Sequence, residues 1–174
     1  MRNKNLRYIA VSSLLAALIF ITALFHLPLF SSQGYIHLGD SIIYIAASLL
    51  PFPYAAAAAA VGGALSDMLS GYFIWIPFTA VIKIINVIPF ALIKKHNRSR
   101  KRINFLNIAA CVISGIITCV MYFLSSRIIY GSFAAAIADL PGDAVQAAAS
   151  AVVYLLICSV PAAKKLIEKD DKNG

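Results

Sequence analysis

Apolar residues fall into six long blocks along this chain, at about 8–25, 36–50, 54–70, 73–93, 103–126 and 143–163, with short polar breaks between them. A block of 18 or more apolar residues is too long for a strand and approaches the ~20 residues that carry a helix across hydrocarbon. The pattern predicts an all-α integral membrane protein, a single domain of six transmembrane helices. Pro51-Phe52-Pro53 closes the second block, because proline removes a backbone donor and clashes with the preceding helical turn. Leu140-Pro141-Gly142-Asp143 reads as the turn that opens the sixth. The first block imitates a secretory signal, but its apolar run is too long for a signal core and is expected to be a retained span.

Polar residues inside the blocks are spaced as helix faces. The fourth carries Trp75, Thr79, Lys83 and Asn86 at steps of four, four and three, which is one stripe of a helix. Such a stripe in an apolar segment should face the bundle interior, since a bare ammonium in lipid costs several kcal/mol. The fifth block shows Ser114, Thr118, Tyr122 and Ser125, and the sixth Asp143, Gln146, Ser150 and Tyr154, at the same spacing. Asp40 opens the second block and Asp67 lies near the end of the third. Together Asp40, Asp67, Tyr72, Trp75, Thr79, Lys83, Asn86, Tyr122, Asp143 and Gln146 outline an outward-opening polar pocket with aromatic walls. Each has a bland reading too: Asp67 pairing with Lys83 or capping its helix, Trp75 and Tyr72 as an interfacial belt, Ser and Thr bonding back to the preceding turn. His26 and His37 flank the first outer loop and read as surface histidines without a role.

Charge changes the picture by orienting it. Of the 15 Lys and Arg, 13 sit in three clusters, at 2–7, 94–102 and 164–172. All three share one side only if there are six spans, which places both termini in the cytoplasm of a bacterial-type plasma membrane. The net charge of +8 is therefore a topology signal and not a nucleic-acid surface. With 61% hydrophobic and 13% charged residues, a soluble domain is excluded. Cys111, Cys119 and Cys158 lie within apolar blocks and have no metal-ligand spacing. No HExxH, GxSxG or phosphate-binding glycine loop is present, so neither enzyme chemistry nor a cofactor is expected. Ser12/Ala16 and Ser13/Ala17 in the first block are small-xxx-small pairs suited to a helix partner.

Four stretches resemble a known family. "GYIHLGDSIIYIAASLL" (34–50), "GGALSDMLSGY" (62–72), "IPFTAVIK" (76–83) and "LPGDAVQ" (140–146) are similar to the substrate-binding S components of energy-coupling factor (ECF) vitamin transporters, in the riboflavin-type branch that includes pyridoxine and hydroxymethylpyrimidine carriers. The resemblance implies a six-helix bundle that captures a vitamin at the outer face. It also implies three partners, a transmembrane coupling subunit and two cytoplasmic ATPases. Family members meet the coupling subunit through an Ala-x-x-x-Ala patch on span one, matched here by Ser12/Ala16 or Ser13/Ala17. Aromatic walls suit a flat heterocycle, with pyridoxine or hydroxymethylpyrimidine favoured and riboflavin or thiamine behind them. The competing readings are a proton-coupled carrier using Asp67 and Lys83, and a non-transport membrane assembly protein.

Overall fold

The computed structural model describes residues 2–25, 27–28, 35–96 and 105–160. His26 and the whole of the basic clusters at 94–102 and 164–172 lie outside what it describes in side-chain detail. The described residues form six α-helices: α1 (Arg2–Leu24), α2 (Gly39–Leu49), α3 (Phe52–Leu69), α4 (Ile76–His96), α5 (Phe105–Tyr130) and α6 (Phe133–Ser159). A two-rung antiparallel hairpin, β1 (Leu27–Pro28) with β2 (Tyr35–Ile36), joins α1 to α2. α1, α4, α5 and α6 are long and apolar enough to cross a membrane.

α2 is the exception. Its 11 residues reach about 16 Å at 1.5 Å each, roughly half a bilayer core. It packs against α1, α3, α4 and α6 and so sits among those four helices, with α5 packed on α4 and α6. Its N-terminus, with Asp40 in the first turn, therefore lies inside the bundle, where the positive end of the helix favours a carboxylate.

Two turns explain the path of the chain. α3 ends in a Schellman arrangement: Tyr72 N–H donates to Asp67 O at 2.8 Å and Gly71 N–H to Met68 O at 3.4 Å. Gly71 takes φ +83°, which a side chain would resist. α5 ends at Gly131, φ +67°, and Ser132 caps α6 by accepting from Ala135 N–H at 3.3 Å. The turn expected at 140–143 is not there. Pro141 sits on an exposed face inside α6, and the glycine and serine at 131–132 do the reversing. α5 thus runs four residues past the expected 126 and α6 starts ten residues before 143, so the segment 127–142 is almost wholly helical.

α1 and α3 touch closely because α3 is slim. A Cβ on Gly62 would lie 2.7 Å from Ile19 Cγ2 and 2.8 Å from the Ala16 carbonyl oxygen. Gly62→Ala is expected to force the two helices apart and lower stability by about 1–3 kcal/mol. Thermal unfolding in detergent reads this, and an unshifted transition would show that α1 yields freely.

The same contact decides which face of α1 is free. Ser12 is buried and its Oγ donates to Tyr54 O at 2.8 Å, and Ala16 is buried against α3. Ser13 and Ala17 point outward. Ser12 and Ala16 are therefore internal packing residues and cannot form a docking patch; only Ser13 and Ala17 are available for one.

Candidate functional site

The stripe expected on the fourth span faces inward as its spacing requires: Trp75, at the end of a 3-10 turn (Phe73–Trp75) just before α4, and Thr79, Lys83 and Asn86 of α4 are all buried. Lys83, seven residues into α4, is about 10 Å from its start. Its Nζ donates to Asp40 Oδ1 at 2.5 Å, with both side chains removed from solvent. Gln146 of α6 supplies the second donor, Nε2 to Asp40 Oδ2 at 3.0 Å. A carboxylate from α2, an ammonium from α4 and an amide from α6 thus meet at one point. Lys83 also lies over the Tyr122 ring of α5, 5.2 Å from its centroid. Gly63 makes room for this on the α3 side: a Cβ there would come within 3.1 Å of both Lys83 Cγ and Thr79 Cγ2.

Above this level the walls are aromatic. Trp75 packs on Tyr122 at 5.8 Å and on Tyr130 at 6.0 Å between centroids, and its Nε1 donates to the Tyr130 hydroxyl at 3.1 Å. Trp75 is a buried, hydrogen-bonded wall and not an interfacial belt residue. Asp143 lies one turn before Gln146 on α6 and is half-buried. Asp139, a further turn back, accepts from Ser126 Oγ at 3.0 Å. Below the ion pair, Asn86 Nδ2 donates to Thr118 Oγ1 at 2.8 Å and the Asn86 carbonyl accepts from Ser114 Oγ at 2.9 Å. Asp67 is buried on α3, one turn after Gly63. Tyr72 is half-buried at the rim, where its backbone caps α3.

His37 differs from its expected place on the surface. It is 8% exposed, directly after β2, and its Nδ1 accepts from Gly39 N–H at 3.1 Å. Its own N–H donates to Gln146 Oε1 at 3.3 Å. The residue therefore fixes both the start of α2 and the orientation of Gln146, whose Nε2 is left to face Asp40. His37→Ala leaves Gly39 N–H buried without its acceptor, an expected loss of about 1–3 kcal/mol, while His37→Asn restores an acceptor and most of the stability. Equal melting of the two variants would refute this role.

Tyr130 and Asp139 were hidden from the sequence by the misplaced turn, which put both in a loop. Thr118 was visible on its stripe, but nothing marked it apart from serines that bond back to their own helix, as Ser125 does to Met121 O at 2.8 Å.

Residues 3–163 match the family described as ECF-type riboflavin transporter, S component. The chain belongs to that family. An S component is the substrate-binding subunit of a membrane vitamin transporter. A protein of Pyrococcus woesei, described as "Uncharacterized protein in gap 3'region", is 31% identical over 132 residues, covering 76% of this chain and 85% of the relative.

Proposed function

We propose that this S component captures a B-type vitamin or precursor at the outer face and delivers it inward with a coupling subunit and two ATPases. The observation that carries the reading is the Asp40–Lys83–Gln146 convergence. A buried ion pair adds little net stability over apolar packing of the same volume. Three helices nonetheless bring those groups together beneath aromatic walls, which is the composition of a site for a flat, hydrogen-bonding ring. Asp40, Lys83, Gln146, Thr79, Asn86, Tyr122 and Trp75 are assigned to this site, with Asp67, Tyr72 and Asp143 at its rim. The close packing around Gly63 favours a compact single ring, such as pyridoxine or hydroxymethylpyrimidine. Riboflavin is the second reading, supported by the family description. Both termini face the cytoplasm in this scheme, and Ser13 with Ala17 on the free face of α1 meets the coupling subunit.

Native mass spectrometry of the gently purified protein, followed by binding titrations, tests the proposal. A co-purifying vitamin and uptake that requires the ATPases are the expected results. Uptake that survives ATP depletion but is abolished by an uncoupler would instead establish a proton-coupled carrier.

A further inference from the structure

α2, α4 and α6 run the same way, because Asp40 meets Lys83 and Gln146 while Tyr44, one turn on, packs on Phe90 and Tyr154 further along the same two partners. Asp40, Lys83 and Gln146 come from those three helices and touch. One turn further along each helix stand Tyr44, Asn86 and Ser150, at steps of four, three and four, on the same inward faces. All three are fully buried. Each holds a polar atom without a hydrogen-bond partner: Tyr44 Oη, Asn86 Oδ1 and Ser150 Oγ. The three helices stay in contact past the ion pair, the Tyr44 ring lying 5.0 Å from that of Phe90 of α4 and 5.9 Å from that of Tyr154 of α6. Unpartnered polar atoms at such depth destabilise a fold and call for an explanation.

We infer that this level is the floor of the substrate site and takes an uncharged hydroxyl, hydroxymethyl or amide substituent of the ligand. The inference rests on the function proposed above and narrows its substrate to the free, unphosphorylated compound. Each floor atom can accept a hydrogen bond, and the two hydroxyls can also donate, so a neutral donor–acceptor group satisfies them. A phosphate would not fit. The Lys83 ammonium is already neutralised by Asp40, and two further carboxylates, Asp143 and Asp139, follow Gln146 at one-turn steps on α6. Tyr44, Asn86 and Ser150 are thus specificity residues whose unfilled hydrogen-bonding positions the ligand occupies.

The test uses purified full-length protein in detergent, with riboflavin, thiamine, pyridoxine and 4-amino-5-hydroxymethyl-2-methylpyrimidine, each beside its phosphate ester. Wild type is expected to bind a free compound at least 100-fold more tightly than the ester. Tyr44→Phe and Ser150→Ala each remove one unpartnered oxygen and keep the shape. Both should melt, without ligand, at or above the wild-type temperature, yet bind the preferred compound about tenfold more weakly. Variants that melt lower and bind like wild type would show that the oxygens serve the bundle, and equal binding of the ester would overturn the charge argument. Wild type that binds nothing in the panel removes the proposed function and this inference with it; wild-type binding with unimpaired variants removes only the inference.

Discussion

Lys83→Met is expected to lower stability by about 3–5 kcal/mol and to abolish detectable ligand binding. The reason lies in the geometry around Asp40. Methionine fills nearly the same volume and leaves the Tyr122 ring and Gly63 in contact, so packing is little disturbed. What changes is charge: Asp40 loses the ammonium at 2.5 Å and keeps only the Gln146 amide, as a carboxylate fully removed from solvent. Removing one partner from a buried pair costs far more than the pair itself contributes, because the other charge stays buried without compensation. The double variant Lys83→Met/Asp40→Asn separates the two roles. It restores neutrality, so most of the stability should return, while binding is expected to stay lost because the proposed site counts both Lys83 and Asp40 among its polar groups. Trp75, the single tryptophan and a wall of the site, gives a fluorescence readout for both unfolding and binding. A single variant that melts within a degree or two of wild type would show that Asp40 reaches water or other donors.

The α4 stripe was legible in the sequence because a lysine and an asparagine inside an apolar helix have few places to go. Their spacing with Trp75 and Thr79 fixed the inward face before any fold was known. The partner of Lys83 was not legible to the same degree. Asp40 and Asp67 are both aspartates near outer ends of neighbouring blocks, and only the short reach of α2 places Asp40 in the bundle centre. Two failures share a physical cause. Pro-Gly at 141–142 is a stronger local stop signal than Gly-Ser at 131–132, yet a membrane helix absorbs a proline when its exposed face loses only one bond. His37 looked superficial because loop histidines usually are, and nothing local signals that its Nδ1 and N–H hold α2 and Gln146.

The free face of α1 was also illegible, and its consequence is the second large effect. α1 is apolar almost all round, so no periodicity separates Ser12/Ala16 from Ser13/Ala17. Packing separates them: the first pair meets Tyr54 and Gly62 of α3, the second faces outward. Ala17→Trp should therefore leave the isolated protein folded and its ligand affinity within about twofold of wild type, since the indole enters lipid and not the core. Uptake by cells that hold the complete transporter should fall more than tenfold, because small residues are what let a partner helix approach closely. Ala16→Trp should do the reverse, driving α1 from α3 and unfolding the protein before any partner is met. Binding titrations and melting of the purified variants, beside vitamin uptake in cells, read the contrast. Normal uptake by Ala17→Trp would move the coupling interface off α1 altogether. Loss of both folding and uptake in Ala17→Trp would mean that this face is covered within the S component itself.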